Sequence, residues 1–259
     1  MLGSAVLAVS ACSVEQSAAG SNFEPAKPGV LTVATAFVPA PGFWEGSPPT
    51  SGFEAQFAAA LARHLHLDRV EVVQVPFAQI VDGELGGADM AISQLTPTSK
   101  RERSLDFTTP YLTAAPGSLA LRQVQADDVH ALRGLRWVVS RVSTLTPIVK
   151  DRIRPIAAPV LVEDRANALE VLRGGGAEAL MLDLPVALGL ARAESSRFHV
   201  LGQLSGGEGL AAALPNGSRN LEIVDSAIRA LQADGTIDRL VSRWLGKSVH
   251  DVPLIRTED

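Results

Sequence analysis

The stretch Gln94-Leu95-Thr96-Pro97-Thr98-Ser99-Lys100-Arg101-Glu102-Arg103, continued by Leu105-Asp106-Phe107-Thr108-Thr109-Pro110-Tyr111, organises the chain. Ahead of it, Ala88-Asp89-Met90-Ala91-Ile92 is a short apolar run that reads as a strand. The polar residues at its carboxyl end open toward a helix that Thr98 can cap. Gln94, Thr96 and Arg101 therefore lie at a strand tip beside a helix N-terminus. Open α/β sheets bind small ligands there, because backbone N–H groups and side chains converge on one crevice. An arginine at that point suits a carboxylate, to which its planar fork donates two parallel hydrogen bonds. A solvated helix start carrying surface charges fits the same residues, so the local pattern leaves both readings open.

Working outward, Val30 to Thr35 predicts a first buried strand, followed by a Pro- and Gly-rich loop from Ala36 to Pro49 that holds Phe37, Phe43 and Trp44. These aromatics either pack beneath the loop or wall a ligand crevice. Ser51-Gly52-Phe53-Glu54 has the form of a capping box, with Phe53, Phe57, Leu61 and Leu65 following at helical spacing. His64 and His66 point to different helix faces, which makes surface residues the default reading over a metal pair. A strand over 70–75 ends at Pro76-Phe77, and Phe77 either stacks on a ligand or joins the core. A short helix over 78–85 stops at Gly86-Gly87.

Downstream, an extended run over 118–122 leads into a second alternation of strands and helices. Strands are expected near 135–140, 159–162 and 178–182, and helices near 128–133, 145–152, after the cap Asp164, and after Pro185. Such alternation implies parallel sheets with covered faces. A second extended run, 208–214, precedes two helices over 218–233 and 236–245. These have no strands of their own and are expected to pack back on the first unit. The pattern thus predicts an α/β chain with two lobes joined by two extended crossings, and a cleft between them. Asp183 ends one strand of the second unit; it serves either as the cap of the next helix or as an acid facing the cleft.

Composition bounds the function. The chain has 259 residues, 46% hydrophobic and 20% charged, with net charge −5 and no basic block, which argues against nucleic acid. Its one cysteine, Cys12, excludes intrachain disulfides and CxxC metal sites. No GxSxG, HExxH or P-loop is present, and no metal or cofactor is expected. Gly207-Glu208-Gly209 mimics only part of a dinucleotide fingerprint and runs into extended sequence. Glu45 could pair with Asp183 as two carboxylates, though their spacing does not require it. Leu2 to Ala11 is too short to span a bilayer but suits a signal h-region, although no Lys or Arg precedes it.

Leu95-Thr96-Pro97-Thr98-Ser99-Lys100-Arg101, with Leu105-Asp106-Phe107 and Pro110-Tyr111, resembles the signature of the bacterial extracellular solute-binding proteins of family 3. These are the receptors of polar-amino-acid ABC importers. The likeness runs from about Gly29 to Gly246. It implies a two-lobed periplasmic-binding-protein-like fold of type 2, with two hinge strands and closure around the ligand. The division it suggests is 29–118 plus 210–246 for one lobe and 119–209 for the other, with a polar, loosely held tail over 247–259. Val9-Ser10-Ala11-Cys12 resembles a lipobox. It implies a signal peptide over 1–12, a lipid anchor on Cys12, a flexible tether over 13–28 and an extracytoplasmic location on the cell membrane.

By the same resemblance, Arg101 matches the residue that clamps a ligand carboxylate, and Asp183 the acid that holds its ammonium. Ser143 and Thr144 match paired hydroxyl residues at a helix N-terminus, Thr96 a hydroxyl on the facing lobe, and Phe77 an apolar position over the ligand. Gln94, Phe37 and Phe43 complete the candidate ligand-binding set. Ala36, Gln94 and Arg141-Val142 depart from frequent family residues, and Pro41-Gly42-Phe43 looks closest to actinobacterial glutamate or glutamine binders. The resemblance implies a monomer that hands a free amino acid, polar, acidic or amide, to a permease. An enzyme on the same fold, of dehydratase or murein-cleaving type, is the alternative.

Overall fold

The computed structural model describes residues 23–36, 40–246 and 251–257. The proposed signal peptide, Cys12 and Phe37 lie outside them.

The first sheet starts with β1 (Val30–Thr35), buried at all six positions, paired in parallel with β2 (Arg69–Gln74) and β3 (Met90–Leu95). Between β1 and β2 runs α1 (Phe53–His64), and α2 (Phe77–Val81) follows β2. After β3 the expected helix does not form. A single 3₁₀ turn, Arg101–Arg103, takes its place, with the Arg101 N–H donating to Thr98 Oγ1 at 3.2 Å. The chain must at once supply β4 (Leu105–Phe107) and β5 (Leu112–Ala114), both of which pair antiparallel with a strand from far downstream, β11 (Glu208–Pro215). The order is β2-β1-β3-β11-β4, with β5 also on β11.

Crossing at Ala115, the chain enters the second sheet through β6 (Pro116–Leu121), and then forms α3 (Val129–Gly134), β7 (Trp137–Ser140) and α4 (Leu145–Ile148). After α4 the helix continues as a π turn to Ile153. Next come β8 (Val160–Val162), α5 (Arg165–Arg173), β9 (Ala179–Asp183), α6 (Leu184–Ala193) and β10 (Phe198–Leu204). Asp128 and Asp164 cap α3 and α5 as N-caps should, accepting the N–H groups of Ala131 and Asn167. The chain then returns to the first sheet by β11. Both sheets are mixed rather than wholly parallel, because the strands next to each crossing run antiparallel to their neighbours. β10 carries no period-2 alternation, and nothing in the sequence marked it.

The last helices, α7 (Leu221–Ala233) and α8 (Thr236–Trp244), pack against α1 of the first lobe. The tail is not loose throughout. β12 (Leu254–Ile255) adds an edge strand beside β10, and Ile255 is buried there against Gly202. The described end of the expected tether is also docked. Phe23 is buried, and the Ala26 N–H donates to Asp89, whose other oxygen accepts from Thr32 N.

The capping box is also overturned. Gly52 precedes α1 at φ 102°, a conformation that favours glycine, and a Cβ there would meet the Phe43 carbonyl oxygen at 2.3 Å. This close approach carries Phe43 into the core. Its ring meets Phe53 edge-on with centroids 5.8 Å apart, while Phe57 lies 4.7 Å from Tyr111. Glu54, freed from capping, turns inward.

Candidate functional site

The carboxyl ends of β3, β7 and β9 face one another across the gap between the sheets, as the rule for open α/β sheets requires. They enclose a narrow cavity of about 70 Å³ between the two sheets. The first lobe supplies Phe77, Gln94, Thr96 and Arg101, and the second Ser143, Thr144, Arg165 and Asp183.

Arg101 is held by both lobes. Its Nη1 donates to the Thr96 carbonyl at 2.7 Å and its Nη2 to the Val142 carbonyl across the gap at 2.9 Å. The guanidinium carbon stands 5.5 Å from the Phe77 ring centroid, a cation–π contact that also fixes Phe77 on the cavity wall. Burial pulls Arg101 below its ordinary pKa, and the carboxylates of Glu208 and Asp183 oppose that pull.

Asp183 ends β9 and precedes Leu184–Ala193, but its side chain caps nothing. Burial raises its pKa to about 7, against the attraction of Arg165 and with added repulsion from Glu208 and Glu54. A cation arriving in the cavity would therefore meet an acid that is only partly ionised at neutral pH and would pull it into the charged form.

Three charged residues that sequence reasoning did not assign complete the arrangement. Glu54 is fully buried on α1 and accepts hydrogen bonds from the Gln94 amide N–H at 2.8 Å, from the Gln94 side chain and from the Tyr111 hydroxyl. Burial raises its pKa despite these donors. The contacts hold Gln94 at φ 49°, a left-handed conformation rare outside glycine, asparagine and aspartate. Arg165, the first residue of α5, reaches across to the Gln94 Oε1 with its Nη2 at 3.1 Å. Glu208, at the start of β11, accepts the hydroxyls of Thr96 at 2.9 Å and Thr144 at 2.5 Å, one from each lobe.

Of the candidate ligand-binding residues, Phe77, Gln94, Thr96, Arg101, Ser143, Thr144 and Asp183 line this one cavity. Phe43 does not: it is wholly buried in the apolar core, because the Gly52 turn draws its backbone inward. Glu45 is also elsewhere, accepting the Gly42 N–H at 2.8 Å and so bracing the aromatic loop rather than pairing with Asp183. The one charge in the run Phe53-Glu54-Ala55-Gln56-Phe57-Ala58 was the available signal for Glu54, masked by its resemblance to a cap. Arg165 follows an N-cap aspartate and looked like any helix start. Glu208 lay inside the glycine pair that mimics a fingerprint.

A family model for bacterial extracellular solute-binding proteins, family 3, matches residues 31–247. The chain is 25% identical over 205 residues to the L-cystine-binding protein TcyJ of Escherichia coli (strain K12), spanning 77% of this chain and 76% of that protein. Among solved structures, an ancestral arginine-binding protein bound to glutamine superposes with a TM-score of 0.73 at 25% identity, covering 85% of this chain and 100% of the other. The ancestral amino acid-binding protein AncCDT-1, described as a precursor of cyclohexadienyl dehydratase, gives 0.69 at 27% identity over 84% and 95%.

Proposed function

From the premise that the chain belongs to the bacterial extracellular solute-binding proteins of family 3, we propose that it captures a free amino acid in the cavity between its lobes. On this reading it delivers the amino acid to an ABC permease. The observation that carries it is the pairing of opposite charges across the gap, Arg101 from the first lobe and Asp183 from the second. A free amino acid presents a carboxylate and an ammonium close together. Desolvating both is costly unless each meets an opposite charge and enough hydrogen bonds. Because the two countercharges come from different lobes, a zwitterion would hold the lobes together, and closure would be the binding step. Ser143 adds a hydroxyl to the cavity wall, while the Thr96 and Thr144 hydroxyls donate to Glu208 and offer only their lone pairs there.

On the same reading the protein acts outside the cytoplasm as a monomer held to the membrane by lipid on Cys12. Labelling with a radioactive fatty acid should mark the full chain and spare Cys12→Ala; equal labelling of both would remove the anchor.

The test of capture is calorimetry and thermal shift against the free amino acids, one at a time. At least one is expected to bind at micromolar or tighter Kd, about −8.2 kcal/mol, and to raise the melting temperature. No response to any of them would refute the assignment. A second reading, an enzyme of dehydratase type, draws on the near-neutral pKa of Asp183, which suits a general acid or base, and on the likeness to AncCDT-1. Product formed during the screen would favour it.

A further inference from the structure

The ionisable groups lining the cavity are two guanidiniums, Arg101 and Arg165, and one carboxylate, Asp183. Glu208 is not among the lining residues, and its Oε2 is taken by the Thr96 and Thr144 hydroxyls. Glu54 is sealed behind Gln94 in the first lobe. A simple amino acid, with one carboxylate and one ammonium, answers Arg101 and Asp183 and leaves Arg165 over.

Arg165 is built for contact with something more. Among the described residues it donates to a single partner, the Gln94 Oε1, and its Nε is buried without a hydrogen-bond partner. A buried, unsatisfied donor on a charged group is costly, and native structures rarely keep one that a ligand or water does not satisfy. Arg165 is also held in place. The Gln94 that receives it is fixed by Glu54, which in turn is fixed by Tyr111. The guanidinium is therefore positioned before any ligand arrives. The acids whose charge acts on it are Asp183, Glu54 and Asp164, and among the described residues none of them forms a direct ion pair with it, so its remaining N–H groups are committed to no carboxylate.

We infer that Arg165 binds a second anionic group on the ligand, so that the preferred ligand class is the amino-dicarboxylates, acidic amino acids with one ammonium and two carboxylates. This rests on the amino-acid reading above and narrows it. An amide in place of the second carboxylate would accept the same hydrogen bonds without the charge, and a cationic side chain would be repelled.

The test is isothermal titration of the full chain, and of Arg165→Gln and Arg165→Lys, with L-glutamate, L-aspartate, L-glutamine and L-arginine. The wild-type chain is expected to bind one of the acidic amino acids at least tenfold tighter than glutamine or arginine. Arg165→Gln should weaken the acidic ligand by at least tenfold and by several-fold more than it weakens glutamine, and Arg165→Lys should recover part of the loss. Tighter binding of glutamine or arginine by the wild type, or an equal loss of glutamate and glutamine in Arg165→Gln, would overturn the inference and leave amino-acid capture standing. If none of the four binds and the wider screen is also silent, the amino-acid reading fails and the inference with it.

Discussion

Replacing Asp183 with Asn should make the empty protein more stable and the receptor useless. The carboxyl group has a pKa of about 7 in the folded chain against an ordinary 3.8. Between those values the folded state holds a proton that the unfolded state has lost, so this residue's contribution favours folding below pH 4 and is lost as pH rises through 7. Fully ionised, the buried acid would cost up to about 4 kcal/mol. Partial exposure of the side chain and the loss of a countercharge for Arg165 reduce what the amide can recover to roughly 1–3 kcal/mol at pH 8. For a chain of this length that is a rise in melting temperature of about 2–10 °C. At pH 5 the folded acid is largely protonated while the unfolded one is still ionised, so the gain should fall to roughly two fifths of its value at pH 8 and vanish only below about pH 4. The same substitution removes the countercharge for an ammonium in a closed cleft, which should weaken amino-acid binding by about 3–5 kcal/mol. Differential scanning fluorimetry at both pH values and calorimetry with the cognate amino acid measure the two effects. A variant that is destabilised equally at pH 5 and pH 8, or that binds like the wild type, would refute this account of Asp183.

Arg101→Ala should abolish measurable binding, with a loss of about 2–5 kcal/mol, because it strands a carboxylate in the cleft and cuts the bonds to Thr96 and Val142; unchanged affinity by calorimetry would remove its assigned role. Ligand affinity should fall by up to tenfold per pH unit below about 7, as Asp183 takes up the proton that binding must expel, and proton release measured in buffers of different ionisation heat should accompany it; a flat profile from pH 5 to 8 would contradict this. Glu54→Ala leaves the Gln94 amide and the Tyr111 hydroxyl unsatisfied in the core, at about 1–3 kcal/mol each, so chemical denaturation should show a clear loss even without ligand. Gly189→Ala places a Cβ 2.3 Å from the Pro41 carbonyl oxygen on the facing lobe; small-angle scattering should find the variant more open and its affinity reduced, with isolated-lobe stability little changed, whereas wild-type affinity would show that the contact is not part of closure.

The sequence by itself determined the elements whose information is local. β1 and β3 announce themselves by short runs dominated by apolar residues, Asp164 caps its helix by short-range geometry, and the segment from Gln94 to Arg101 and the strand end at Asp183 place polar side chains at strand tips. Those positions follow from chain direction and strand period. Tertiary structure decided the rest. Ser51-x-x-Glu54 satisfies the capping pattern as well as any real box does, and only the approach of Phe43 to Gly52 turned Glu54 into the core. Phe43 and Phe77 were equally plausible ligand walls; one was drawn inward by that same turn and the other was pinned over the cavity by Arg101. β12 and the docking of residues 23–28 depend on a sheet edge and a carboxylate supplied by distant parts of the chain. Arg165 and Glu208 meet their partners 71 and 112 residues away. A hydrogen bond between two lobes leaves no local pattern, because its partners are chosen by how the lobes close and not by the residues beside them.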